Sequence, residues 1–196
     1  MNRFIESERS DSEEFIPQYF EVSFGLLRKE GSDKILSGQE PVEIDGVKLR
    51  GKIDRIEISK GNDLFNIVDY KLGGKKPTFR ELKEGISLQL PVYLYAAQNL
   101  LKKKFGKDFF PNEMIIYSLK YALDEFGKKP VSIKYARDEE IKTIEQLIDK
   151  TISHITNYIQ QISEGKFGLS PHADREKLIC GYCQFKSVCR VEEAND

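Results

Sequence analysis

The chain has 196 residues and a mass of 22.6 kDa, which suits one domain with at most a small appendage. Charged residues make up 32%, and 31 Lys and Arg against 32 Asp and Glu leave a net charge of −1, which excludes a polybasic protein while leaving room for a local positive patch. No apolar run reaches the ~18 residues of a membrane span, and the opening Met1-Asn-Arg-Phe-Ile-Glu lacks the basic-then-apolar order of a signal peptide, so a soluble cytoplasmic protein with no membrane partner is expected.

Residues 1–15 carry Glu6, Glu8, Asp11, Glu13 and Glu14 against Arg3 and Arg9 and read as a flexible acidic arm. Tyr19 to Leu26 alternates well enough for a strand, and Val42 to Ile58 reads as a hairpin turning at Asp45-Gly46, a favoured type I′ pair. A second turn falls at Lys60-Gly61-Asn62-Asp63, and Leu64 to Lys71 is a third, strongly apolar strand. Leu90, Leu94, Ala97 and Leu101 predict a helix from about Ser87 to Lys104, with Pro91 tolerated because the first turn has no intrahelical amide partners. Glu113 to Tyr121 and Val131 to Tyr135 are predicted strands. From Glu139 to Ser163 an apolar stripe of Ile141, Ile144, Leu147, Ile148, Thr151, Ile152, Ile155, Ile159 and Ile162 predicts a long helix, with Asp138 as its N-cap and Gly165 as its stop. The order of elements predicts a mixed α/β core over 16–168 and a cysteine-rich tail over 169–196.

Asp69 and Lys71 stand two apart on a predicted strand and so share one sheet face, with Val68 and Tyr70 on the other. Asp54 belongs to a neighbouring strand. If the two strands pair there, two carboxylates converge, and paired carboxylates suit the oxygen-loving cations Mg²⁺ and Mn²⁺. Read alone, a D-x-K pair is a common surface pattern and Asp54-Arg55 a common exposed ion pair. Gln89 and Tyr93 lie at i and i+4 on the helix that follows, where both face one way.

Together, Gly51-Lys-Ile-Asp-Arg55, Ile67-Val-Asp-Tyr-Lys-Leu-Gly73 and Leu88-Gln-Leu-Pro-Val-Tyr93 resemble the PD-(D/E)XK nuclease superfamily, and within it the RecB-like branch, especially the C-terminal nuclease domain of AddB-type helicase–nuclease subunits. The resemblance covers about Glu21 to Arg190 with its motifs in the family's order. It implies a restriction-endonuclease-like α/β fold, a mixed central sheet flanked by helices. It also implies a Mg²⁺- or Mn²⁺-dependent deoxyribonuclease, an exonuclease rather than a site-specific endonuclease, acting in DNA repair or recombination. The metal ligands carried over are Asp54, Asp69 and the carbonyl of Tyr70; the catalytic set is Asp54, Asp69, Lys71, Gln89 and Tyr93. Such domains are often joined to a helicase subunit or domain, and this chain has no phosphate-binding G-x-x-x-x-G-K-[ST] loop of its own.

All three cysteines, Cys180, Cys183 and Cys189, cluster in the tail, and clustered thiols point to metal or redox chemistry. Their spacing resembles the C-terminal part of the iron–sulfur staple of AddB-type nucleases, which implies a [4Fe–4S] cluster. The family's fourth cysteine lies upstream of the core, and no cysteine precedes Cys180. Three explanations stay open: a chain that is a piece of a longer protein, a Cys3His Zn²⁺ site completed by His172, or an incomplete site. Neither His154 nor His172 stands where the family's metal-binding histidine does. Residues 48–83 carry ten Lys and Arg against five Asp and Glu, and Lys75, Lys76, Arg80 and Lys83 are expected to meet DNA phosphates. Two rival readings remain: an inactive nuclease-fold module that binds DNA or braces a complex, and a zinc-stabilised interaction domain.

Overall fold

The structure, a computed structural model, describes residues 2–10, 14–27, 30–61, 63–73, 76–120, 126–131, 133, 138–166 and 180–184. The chain divides into two compact units, 1–158 and 159–196, and the division falls within the last long helix.

In chain order the elements are α1 (Asn2–Ser10), β1 (Phe15–Phe24), β2 (Val42–Ile44), β3 (Val47–Leu49), β4 (Gly51–Ser59), β5 (Leu64–Lys71), α2 (Phe79–Lys83), α3 (Gln89–Phe105), β6 (Phe110–Ser118), β7 (Gly127–Pro130) and α4 (Ile144–Ser163). A 3₁₀ turn follows at Cys180–Tyr182. The main sheet runs β1-β4-β5-β6-β7, and β2 and β3 form a separate ribbon. Among the described strands of the main sheet only the β5–β6 pair is parallel, joined by the crossover that carries α2 and α3; β1–β4, β4–β5 and β6–β7 are antiparallel. The mixed α/β architecture with a central mixed sheet agrees with the sequence reading.

β5 sits mid-sheet, and five consecutive residues, Phe65 to Asp69, are buried, as a strand covered on both faces requires. On the front face Ile56, Phe65 and Ile67 join Leu90, Leu94, Ala97 and Leu101 of α3 in the main core. Ala96 and Ala97 are fully buried, so the helix lies close to the strands. On the rear face Val68, Ile115 and Tyr117 form a smaller core, covered by Phe4 of α1 with Tyr70, Leu119 and Phe126.

Several elements differ from expectation for local reasons. The first residues form α1 rather than a flexible arm: Phe4 packs on Tyr117 and Tyr70 with ring centroids 5.3 and 6.4 Å apart, and Glu8, one helical turn on, pairs with Arg55 at 2.8 Å. The predicted long hairpin is two structures. Asp45 and Gly46 do form its turn, with φ of 47° and 81°, but the returning arm breaks at Arg50. There the chain crosses Gly25, where a Cβ would lie 2.8 Å from that of Arg50, and only past this crossing does β4 enter the main sheet.

α4 begins at Ile144, because Thr143 and Gln146 make a reciprocal capping box. Asp138 instead accepts the Glu140 and Ile141 amides in a turn ahead of it. β7 precedes the strand expected at Val131–Tyr135, of which 132, 134 and 135 lie outside the described residues. The helix stop at Gly165 holds, with φ of 70° and its amide donating to the Ile162 carbonyl at 3.1 Å. Both margins of the sheet are interrupted: β1 carries Pro17 at an irregularity, and β7 reads Gly-Lys-Lys-Pro. No helix among the described residues is long and apolar enough to cross a membrane.

Candidate active site

β4 and β5 pair from Ile58↔Phe65 to Arg55↔Val68, and the ladder ends there. Asp54 and Asp69 occupy the next position along. In place of ladder bonds, the Tyr70 amide donates to Asp54 Oδ2 at 2.9 Å. The two carboxylates thus meet at the open end of a strand pair, one half-buried and one only 3% exposed.

From β5 the Lys71 ammonium lies 2.8 Å from Asp69 Oδ2. The Gln89 side chain, in the first turn of α3, bridges this pair: its Nε2 donates to Asp69 Oδ1 at 3.1 Å, and its Oε1 accepts from Lys71 Nζ at 3.3 Å. The same Nε2 donates to the Tyr93 hydroxyl at 3.3 Å. Gln89 fits this place because its amide offers a donor and an acceptor at once, one for a carboxylate and one for an ammonium. Tyr93 stands edge-on to Phe24, and Gly51 leaves the room: a Cβ there would lie 2.8 Å from Phe24 Cζ and 3.5 Å from Tyr93 Cε1. The structure therefore brings Asp54, Asp69, Lys71, Gln89 and Tyr93 together, with Tyr70 between the last two β5 members of the group.

Two residues that sequence reasoning missed belong to the same surface. Lys52 stands two before Asp54 on β4, so it shares its face. Glu21 of β1 lies between the pairs Phe20↔Arg55 and Val22↔Ile53, across from Asp54, in a left-handed conformation with φ of 55°. Lys52 donates to the Glu21 carboxylate. Strand alternation could have found Lys52; Glu21 needed the β1–β4 register.

Charge crowding shows in the electrostatics. Burial pushes the Asp54 carboxyl above the usual carboxylate range, and Asp69 and Glu21 push the same way, while the Tyr70 amide and Lys52 oppose them. The Lys52 ammonium is held above its ordinary range chiefly by its bond to Glu21. Asp69 Oδ2 is buried and receives no aligned hydrogen bond among the described residues. Its remaining lone-pair direction and the raised Asp54 carboxyl are both features that a divalent cation would relieve, so the oxygen donors fit Mg²⁺ or Mn²⁺. Two acidic side chains are not themselves a full coordination shell, and no group of three or more such ligands occurs among the described residues.

The expected phosphate-binding cations are engaged internally. Lys76 Nζ donates to the Pro130 carbonyl at 2.8 Å, Arg80 Nε to Glu84 at 2.7 Å, and Lys83 Nζ to Asp138 at 2.7 Å, with Glu140 at 3.3 Å. Lys75 lies outside the described residues, as do Cys189 and His172. Of the tail thiols, Cys180 is half-buried and Cys183 exposed, and the Cys183 amide donates to the Cys180 carbonyl at 3.2 Å. Three thiolates in the whole chain are one fewer than a [4Fe–4S] cluster takes, so these residues do not complete one. His154 takes a structural place, its Nε2 2.8 Å from the Lys83 carbonyl and its ring stacked on Tyr158.

Comparison with known proteins bears on the family. The chain is 30% identical to an ATP-dependent helicase/deoxyribonuclease subunit of Carboxydothermus hydrogenoformans over 91% of its own length, and 25% identical to that of a Thermoanaerobacter species over 96%. A shorter stretch, 69% of the chain, is 32% identical to the helicase/deoxyribonuclease subunit of the same name in Natranaerobius thermophilus, of which it covers 11%. The first two matches each cover 20% of the relative, so the chain spans about a fifth of their length. The model of the PD-(D/E)XK nuclease superfamily matches residues 1–190, taking in both strands and the helix that carry the cluster. By that match the chain belongs to the PD-(D/E)XK nuclease superfamily.

Proposed function

We propose that this domain is a divalent-metal-dependent deoxyribonuclease working beside a helicase in DNA repair or recombination. The observation that carries the reading is the convergence of Asp54, Asp69 and Lys71 at the open end of the β4–β5 pair, with Gln89 tying the lysine to the second aspartate. Asp54 and Asp69 would hold Mg²⁺ or Mn²⁺, together with the Tyr70 carbonyl. Once bound, such a cation polarises a phosphoryl oxygen and makes water a better nucleophile.

The chain's own residues supply the rest. Lys71 Nζ, steadied by Asp69 and Gln89 Oε1, is aimed to stabilise the negative charge that builds on the phosphate, worth most in a site where the donor is already in place. Gln89 keeps Lys71 from swinging into solvent, and Tyr93 holds Gln89 from the next helical turn. Lys76, Arg80 and Lys83 meet the DNA backbone by exchanging their present internal partners for phosphates, which gives salt-dependent affinity without sequence preference. The names of the relatives support the helicase link.

Asp69→Ala and Lys71→Ala are expected to abolish Mg²⁺- or Mn²⁺-dependent cleavage of single-stranded and duplex-end DNA while circular dichroism stays that of the wild type. Equal cleavage by wild type and variants would overturn the reading. Retained DNA binding with no cleavage by the wild type in either metal would favour an inactive binding module.

A further inference from the structure

The rear face of the β4–β5 pair holds a buried charge network that the proposed chemistry does not use. Arg55, next to Asp54, is 2% exposed, and its Nη1 donates to the Tyr70 hydroxyl at 3.0 Å. The guanidinium is anchored twice more, to Glu57 at 2.5 Å through Nη2 and to Glu8 of α1 at 2.8 Å through Nη1. Glu57, 1% exposed, also accepts from Lys128 of β7 at 2.8 Å and from Asn66 of β5 at 3.3 Å, and Asn66 Oδ1 accepts from Asn112 of β6 at 2.9 Å. Arg55 Nε and Glu8 Oε1 are buried without a hydrogen-bond partner among the described residues. Two buried polar atoms left unmatched are expensive, so stability alone does not account for a charge placed here.

Position supplies the reason. Backbone pairing between β4 and β5 ends at Arg55↔Val68, one residue before the facing carboxylates. Beyond that point the strands are cross-linked on the front by the Tyr70 amide on Asp54, and on the rear by the Arg55 guanidinium on the Tyr70 hydroxyl. Successive side chains alternate between faces, so fixing Tyr70 from behind fixes Asp69 and Lys71 in front. The Tyr70 ring is itself held, 5.5 Å from Tyr117 and 6.4 Å from Phe4 between centroids. Mg²⁺ demands near-ideal octahedral geometry at about 2.0–2.1 Å, so a small change in the opening of the strand pair is felt by the ion.

We propose that Arg55 and Tyr70 are positioning residues, a rear brace that sets the separation of Asp54 and Asp69 and thereby the affinity of the site for a divalent cation. The proposal rests on the metal-dependent reading above.

The test is Mn²⁺ titration, followed by electron paramagnetic resonance, of wild type, Asp69→Ala, Tyr70→Phe and Arg55→Lys, with thermal melting of each in EDTA. Tyr70→Phe removes one hydroxyl and keeps the ring. It is expected to weaken Mn²⁺ binding roughly tenfold, as loss of a residue supporting a ligand does elsewhere. Arg55→Lys is expected to act in the same direction, and it decides the matter if Tyr70→Phe does not fold. Asp69→Ala is expected to lose binding. If Asp69→Ala loses binding but the brace variants titrate within about twofold of wild type, the brace is overturned and the metal site stands; a variant that melts lower without moving the Mn²⁺ midpoint counts the same way. A wild type that takes up no Mn²⁺ at millimolar concentration overturns both.

Discussion

Asp54→Asn should make the metal-free protein more stable and the enzyme inactive. The amide oxygen of asparagine still accepts the Tyr70 amide that Asp54 Oδ2 now accepts at 2.9 Å, so local geometry survives, while burial and repulsion by Asp69 and Glu21 are relieved. Two unit charges at a cross-strand spacing of ~5 Å repel by about 1 kcal/mol in water-like surroundings and about 3 kcal/mol at an effective dielectric of 20. Asp54 is only partly buried, so solvent screening brings the expected gain to the lower end, about 1 kcal/mol. For a chain of this size that is about 2–4 °C in Tm.

The pH dependence has a definite sign. The folded-state pKa of Asp54 lies above its unfolded value of about 3.9, so the wild type has no penalty at lower pH and loses stability as pH rises through the folded value. The advantage of asparagine is therefore absent near pH 3 and complete near pH 7.5. Thermal melts in EDTA across that range measure it. With Mg²⁺ added, the wild type should rise and the variant should not. An asparagine variant no more stable than wild type at pH 7.5, or equally favoured at both ends of the range, would refute the reasoning.

Two further outcomes test the scaffold. Gly85 has φ of 71°, and a Cβ there would stand 2.6 Å from His154 Cγ, so Gly85→Ala is expected to cost about 2–4 kcal/mol in urea unfolding; a loss below about 1 kcal/mol would show that His154 can move aside freely. The Asp138 carboxyl is held down to about 2, first by its hydrogen bond from Lys83 and then by the Ile141 amide. Its contribution is present above about pH 4 and lost as pH falls toward 2, so Asp138→Ala should flatten the acid limb of the stability curve there, and an unchanged limb would count against the pair.

The site was more legible than the framework around it. Asp69 and Lys71 could be placed on one face because strand alternation is strict, and Gln89 with Tyr93 because helical spacing is. What no pattern gave was the pairing that sets Asp54 opposite Asp69, since register is decided between segments rather than within one. Glu21 was hidden for the same reason. α1 escaped because its signal is sparse: a nine-residue helix that reaches the rear face through Phe4 and Glu8 looks like an acidic tail until Arg55 and Tyr117 are beside it. The break at Arg50 was unreadable because it depends on Gly25, far away in the chain.

The interruptions at Pro17 and at Lys128-Lys129-Pro130 have a consequence for assembly. Proline cannot donate to a ladder, and a short strand bearing lysines resists a newcomer, so β7 is a poor template for β-augmentation, while Pro17 marks the point where the register of the longer β1 shifts. A strand added at the β7 border would find no amide to pair with at Pro130, whose carbonyl is already taken by Lys76.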